Sequence, residues 1–224
     1  MANNQNTMAV NKNLASLRRE YLEPEFGVKT VEADPYIQFD KWFEEMMTLG
    51  SEEVNCMTLA TASTTGRPGA RIVLLKGIED GQFVFYTNYQ SAKGREIEQN
   101  PHVCLNFYWP ELSRQVRIDG IAERVSEAAA TTYFQSRPRG AQVGAWASPQ
   151  SAPIANRQVL EERAHEMEEK FKGQEVLPKP KQWGGYGVKP VAFEFWQGRP
   201  DRLHDRICYL LDGDNQWNIQ RLSP

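Results

Sequence analysis

Cysteine is scarce in this chain, and its distribution excludes several classes of protein. Cys56, Cys104 and Cys208 are far apart, odd in number and form no CxxC pair, which argues against both a disulfide framework and a zinc site. Two of them sit in apolar runs, where cysteine acts as a small buried hydrophobe, and the pattern fits a reducing cytoplasm. Long hydrophobic runs are missing too. No stretch approaches the roughly 20 apolar residues of a membrane helix. Nor is there an excess of positive charge: 26 Lys and Arg stand against 29 Asp and Glu, a formal net charge of −3. No overall basic field recruits nucleic acid or an anionic membrane, so any anion site must be local. Ser/His/Asp order, paired carboxylates, HExxH and GxxxxGK(S/T) are all absent, leaving no obvious nucleophile. No internal repeat or long low-complexity linker divides the chain.

What is present is ordinary for a globular protein: 40% hydrophobic and 25% charged residues in a length of 224, enough for one domain with a sizeable core. Residues 1–13 are polar, Asn-rich and lack the apolar centre of a signal peptide, so they are expected to be a disordered tail. One domain is expected over 14–224. A short helix carrying Arg18 and Arg19 is expected near 14–21. Asp34 as cap and Pro35 at the first position open a helix over 35–49, with Phe39, Trp42, Phe43, Met46 and Met47 as a core-facing stripe. Strands follow at 57–62, 70–76, 82–87, 102–109 and 115–124, with tight turns that suggest an antiparallel meander. Ser91 caps a short helix to 98 and Ser126 caps another to 135. Residues 137–153 read as a Gly-, Ala-, Ser- and Pro-rich loop, and 157–172 as a charged helix bearing His165 on its surface. Strands at 186–188, 191–196, 206–211 and 217–221 close the chain. The fold class is α+β, a single domain whose antiparallel sheet closes as a barrel.

The stretch 66–77, GRPGARIVLLKG, sets the problem of function. A turn leads into an apolar strand bracketed by Arg71 and Lys76. Charges at the ends of a buried strand call for an anion, or they snorkel to water. Tyr86-Thr87-Asn88-Tyr89 then ends a strand where Ser91-Ala92-Lys93-Gly94 opens a helix. A helix N-terminus suits a phosphate, and Lys93 in the first turn opposes the dipole, so it either meets an anion or points to water. Gln115 and Arg117 share one strand face. Tyr133 and Arg137, at i,i+4, can stack or jointly grip a phosphate. Gln150-Ser151 lies in the loop. Trp183 stands against Gly184-Gly185, where backbone can approach a flat ligand. The most suggestive cluster is 199–206, with three arginines and His204 in eight residues. Cations, hydroxyls and aromatics suit a phosphorylated aromatic ligand, with the hard chemistry left to a cofactor.

Five stretches carry a resemblance: ARIVLLKG, NFYWPELSRQVRIDG, YFQSRP, PKQWGGY and FWQGRPDRLHDR, in that order. Together they resemble the pyridoxine/pyridoxamine 5′-phosphate oxidase family of flavin enzymes, over nearly the whole chain from Arg18. The resemblance implies a split β-barrel and a homodimer with FMN at the subunit interface. By position, Arg71, Ile72, Val73, Leu74, Leu75, Lys76, Tyr86, Thr87, Lys93, Gln115, Gln150, Ser151, Trp183 and Arg206 match its FMN contacts. Arg71 and Lys93 would neutralise the FMN phosphate. Lys76, Tyr133 and Arg137 match the grip on the substrate phosphate, and Arg202, Leu203 and His204 the contacts over the pyridine ring. Arg202 and His204 would position the substrate and complement charge at the reacting centre. Arg18, Arg19, Glu20 and Tyr21 match a mobile segment that covers the site. The implied reaction passes a hydride equivalent from the substrate C4′ carbon to flavin N5, and dioxygen is reduced to hydrogen peroxide. With the amine substrate, the imine is hydrolysed to aldehyde and ammonia.

Two positions depart from the pattern. Ala92 stands where the family commonly has arginine, and Ala141 where it has a serine that helps hold the substrate phosphate. Each lost bond to a charged group costs roughly 1.5–3 kcal/mol, so weaker binding is expected with function kept. Arg71 and Lys76 also fall on opposite faces of an ideal strand, and a bulge or strong twist is expected to reconcile them. Two alternatives share the barrel: a flavin oxidoreductase acting on another substrate, and a non-catalytic carrier of FMN or pyridoxal phosphate.

Overall fold

The computed structural model describes residues 26–224. The expected tail, the helix at 14–21 and Arg18, Arg19, Glu20 and Tyr21 lie outside the described residues. Helix α1, Pro35–Thr48, starts as expected: the Asp34 carboxylate accepts from the Tyr36 N–H at 2.8 Å, with Pro35 at the first position. Phe39, Trp42 and Met46 are buried on one stripe. Met47 departs from the expected stripe and is 61% exposed, because it sits about 80° round the helix from Phe39.

Among the described residues nine strands form one antiparallel sheet. They are β1 Cys56–Ala62, β2 Pro68–Leu74, β3 Gly77–Glu79, β4 Gln82–Asn88, β5 His102–Trp109, β6 Arg114–Arg124, β7 Trp183–Gln197, β8 Asp205–Leu211 and β9 Trp217–Leu222. The order is β2-β1-β5-β6-β7-β4-β3, with β8 added to β7 and β9 to β8. This is not the expected meander, since β2 does not pair with β3 and β4 pairs with β7. The sheet curls until the Lys76 N–H, just past β2, donates to the Val84 carbonyl of β4 at 2.8 Å.

Period-two alternation fills the interior. Met57 and Leu59, Val103, Leu105 and Phe107, Val116 and Ile118, and Phe193 and Phe195 all point inward. Helix α1 closes this half-barrel: Phe39 meets Phe83 edge-on at 5.0 Å, and Trp42 meets Phe195 edge-on at 5.3 Å. Each such ring stabilises the fold by about 1.5–3 kcal/mol through burial.

Three further expectations are corrected. The run 137–153 contains a helix, α4 Arg139–Ala147, between α3 Glu127–Ser136 and α5 Gln158–Lys170. Its buried Val143 and Ala147 outweigh the helix cost of Gly140 and Gly144. The two strands expected over 186–196 are one, β7, which pairs with β4 up to Val188 and with β8 from Ala192. Pro190 is tolerated because the β6–β7 register shifts at Asp119/Gly120, opposite it. Finally, β1 and β2 pair without a bulge, and β2 ends at Leu74, so Lys76 lies beyond the strand. A smaller cluster of Phe134, Val143, Phe171, Leu177 and Trp183 ties the helices to the start of β7. Among the described residues no helix is long and apolar enough to cross a membrane.

Candidate functional site

Helix α2, Ala92–Gln99, packs against β1, and a cationic cluster forms between this helix and the sheet. Arg71 lies opposite buried Leu59 and so points to the inner face. Its guanidinium donates to the Thr61 hydroxyl at 2.6 Å and pairs with Glu96 at 2.8 Å. Lys93 is buried, 9% exposed, and donates to the Thr87 hydroxyl at 3.2 Å. That hydroxyl donates in turn to the Gln150 side-chain carbonyl, which also accepts from the Asn88 N–H. Burial, and then the Arg71 charge, push the Lys93 ammonium below the ordinary lysine range. The Glu96 carboxyl is held below its usual range, first by the Thr61 hydroxyl and further by Arg71.

Among the described residues no carboxylate pairs with Lys93, so two cations share one anion at the start of α2. The cluster is short of negative charge and suits a phosphate. Ser91 caps the helix by accepting from the Gly94 N–H at 3.2 Å. A Cβ on Gly94 would lie 2.1 Å from the Tyr89 carbonyl oxygen, so this close approach requires glycine.

On the opposite face of β4 from Thr87, Tyr86 stacks on Tyr133 of α3 at 3.8 Å and 14°, and Trp183 lies parallel to both. Arg137 caps α3, with its guanidinium 4.7 Å above the Trp183 ring. Its Nη1 is buried without a hydrogen-bond partner, as is the Gln142 side-chain oxygen. Burial lowers the Arg137 pKa from its ordinary value. The glycines expected to admit a flat ligand instead admit the protein's own rings. Cβ atoms on Gly184 and Gly185 would strike Tyr89 and Tyr86.

A third group lies on the outer face. Gln115, Trp196 and Arg206 are direct cross-strand neighbours on β6, β7 and β8, alternating with buried Val116, Phe195 and Ile207. Arg206 is held by Glu194 at 2.7 Å and by the Ser223 carbonyl at 2.8 Å. His204 tilts against Trp196 at 4.7 Å, and its Nδ1 accepts from the Arg199 N–H at 3.1 Å. Burial, and then the Arg202 charge, lower its pKa from the ordinary histidine value, against an opposing pull from Asp205. Asp201 and Arg202 take left-handed backbone, φ 55° and 63°, a strain that accumulates at binding sites. Arg202 and Leu203 are exposed. Within 199–206, Arg199 meets Asp205, which also pairs with Arg221.

The chain therefore brings Arg71, Thr87, Lys93 and Gln150 together in one group, and Tyr86, Tyr133, Arg137 and Trp183 in a second, on the other face of β4. Gln115, Arg206 and His204 form the third, on the opposite face of the sheet from Arg71. Lys76 and Ser151 are exposed, Ile72 points outward and Leu75 is buried. Trp196 was missed in the sequence. Its alternation with Phe195 along the strand is the signal the sequence offers, and its register with Gln115 and Arg206 comes only from the structure.

The model of the pyridoxamine 5′-phosphate oxidase family matches residues 43–171, and that of the pyridoxine 5′-phosphate oxidase C-terminal dimerisation region matches 183–224. The chain belongs to the pyridoxamine 5′-phosphate oxidase family. A pyridoxine/pyridoxamine 5′-phosphate oxidase of Rubrobacter xylanophilus is 53% identical over 95% of this chain and 97% of its own. One of Cytophaga hutchinsonii is 50% identical over 95% and 99%. Among solved structures, PhzG from Burkholderia lata, in complex with tetrahydrophenazine-1-carboxylic acid, superposes with a TM-score of 0.83 at 28% identity, over 90% of this chain and 99% of that one. The half-barrel is thus the split barrel of this oxidase family.

Proposed function

We propose that this protein is an FMN-dependent oxidase that converts pyridoxine 5′-phosphate and pyridoxamine 5′-phosphate to pyridoxal 5′-phosphate. The observation that carries this reading is a pair of under-neutralised cation sites, one on each face of β4. Lys93 and Arg71 share a single carboxylate on one side. Arg137 stands with a buried unpartnered N–H on the other, beside the 3.8 Å stack of Tyr86 on Tyr133. Two phosphorylated aromatic ligands, a cofactor and a substrate, fit such a pair.

Arg71, Lys93, Thr87 and Gln150 would hold the FMN phosphate, with the chain of Ile72, Val73, Leu74, Leu75 and Lys76 alongside, and Tyr86 and Ser151 nearby. Gln115, Trp196 and Arg206 face the other way on the sheet, so they would serve the FMN of a second subunit in a homodimer. Bound FMN would supply a two-electron acceptor for the hydride equivalent from C4′, with dioxygen as the final acceptor and hydrogen peroxide as its product. Tyr133, Arg137 and Lys76 would fix the substrate phosphate, converting an encounter into a held geometry. Arg202 and His204 would orient the pyridine ring. The His204 Nδ1 is engaged as an acceptor by the Arg199 N–H, so at neutral pH it offers a neutral imidazole whose Nε2 carries the proton. Arg18, Arg19, Glu20, Tyr21 and Leu203 would cover the bound substrate. Water hydrolyses the imine from the amine substrate to aldehyde and ammonia.

The test is the visible spectrum of the FMN-loaded protein before and after anaerobic addition of pyridoxine 5′-phosphate. Bleaching of the flavin band, with its return in air alongside pyridoxal 5′-phosphate, is the expected result. A band unchanged by both alcohol and amine substrates would overturn the assignment. The PhzG likeness shows that the same barrel also binds a carboxylate-bearing ligand. The Arg137 site and the twofold higher identity to the phosphate oxidases favour the first reading.

A further inference from the structure

Trp183 matches a flavin contact by sequence position, yet its surroundings are those of a support. It is 6% exposed, and Phe134 meets it edge-on at 5.2 Å. Its main chain is pinned at both ends: the N–H donates to the Pro180 carbonyl at 3.0 Å, and its carbonyl accepts from Lys179 at 2.7 Å. Beside this fixed indole stands the Arg137 guanidinium, 4.7 Å from the ring centroid. The Arg137 main chain is also fixed, since Gln142 donates to its carbonyl at 2.7 Å. Among the described residues no carboxylate pairs with Arg137, and its Nη1 is buried without a partner.

This arrangement solves a specific problem. A cation meant to receive an anionic ligand must be held in place, but a carboxylate that held it would neutralise it and compete with the ligand. An indole face attracts a guanidinium through its quadrupole without cancelling the charge. Tyr133 lies parallel to the same indole at 7° with centroids 6.2 Å apart, but its close stack is on Tyr86 at 3.8 Å, so the indole bears on the Arg137 part of the phosphate grip.

We propose that Trp183 is a positioning residue for the substrate phosphate, acting through Arg137, rather than a contact of the flavin. This rests on the functional reading above and extends it. The experiment compares Trp183→Phe and Trp183→Leu with wild type in two measurements: FMN affinity of the apoprotein by flavin fluorescence, and steady-state kinetics of the FMN-loaded enzyme with pyridoxine 5′-phosphate. Trp183→Leu is expected to raise KM about 5- to 30-fold, while kcat and the FMN dissociation constant stay within about twofold. Trp183→Phe keeps an aromatic face and core volume and falls between, which guards against a Leu variant that fails to fold. In an Arg137→Ala background, Trp183→Leu is expected to add nothing to KM. An FMN affinity that falls as far as KM rises would overturn the proposal in favour of a flavin contact. A KM effect that persists in Arg137→Ala would reduce Trp183 to core packing. A wild-type protein with no affinity for FMN would instead overturn the functional reading beneath it.

Discussion

Burying an ammonium costs free energy unless something anionic compensates, and Lys93 is 9% exposed with the Thr87 hydroxyl as its hydrogen-bond partner. Replacing it by methionine keeps the length of the side chain and removes the charge. Lys93→Met is expected to leave the ligand-free fold at least as stable as wild type. FMN affinity should fall about 10- to 100-fold, as a charged hydrogen bond is worth roughly 1.5–3 kcal/mol. Flavin fluorescence titration beside a thermal melt measures both, and an unchanged affinity would make the lysine merely structural. His204 gives a prediction in pH. Its folded-state pKa is lowered, so on acidification the unfolded chain takes up this proton first. The group's contribution to stability is complete above its unfolded value of about 6.5 and is lost as pH falls toward the folded value. The stability gap between wild type and His204→Gln should therefore shift against wild type from about pH 7.5 to about pH 5.5. An imidazole NMR titration should give a pKa below that of a free histidine.

The elements show which parts of the fold could be read from sequence and which could not. Strands β5 and β6 were legible because every second residue is apolar and buried. Helix α4 was not, because Gly140 and Gly144 lower its propensity and only packing on its neighbours restores it. Continuous β7 was hidden by Pro190, whose missing N–H matters little opposite a register shift. In the site, the cations and aromatics were visible, but their partners were not: nothing in the sequence ties Arg71 to Glu96 or Trp196 to His204, since those contacts depend on register. The glycines of helices α2 and α4 make the same distinction testable. Gly94→Ala drives a Cβ to 2.1 Å from the Tyr89 carbonyl, a backbone clash at the upper end of overpacking costs, about 3 kcal/mol. At this chain length that lowers Tm by about 6–12 °C. Gly140→Ala meets open space and should stabilise by about 0.5–1 kcal/mol. Calorimetry on the two variants should give shifts of opposite sign.

At the scale of the molecule, the two groups that read as flavin contacts lie on opposite faces of one sheet, so a single chain does not close one ligand between them. The outer face also exposes apolar side chains: Ile72 is 61% exposed, Tyr108 56% and Leu210 41%. Leu210 lies in the segment matching the dimerisation region, and Ile72 sits on β2 in the register row of Thr58, Asn106, Arg117, Glu194 and Cys208. An exposed β-branched residue on such a face gains nothing by burial within its own chain and gains by packing against a second copy. Ile72→Asp should therefore leave the isolated fold intact. A charge forced into the centre of an interface costs about 2–4 kcal/mol, so the dimer dissociation constant should rise about 30- to 1,000-fold. FMN affinity should fall with it, because Gln115, Trp196 and Arg206 of the second subunit leave together with the partner. Met47→Asp on α1 is the control: it is equally exposed but lies off this face, and should change neither quantity. Sedimentation velocity at several concentrations, with and without FMN, separates the outcomes. A dimer that survives Ile72→Asp with its FMN would move the interface to another face and require one chain to hold the cofactor alone.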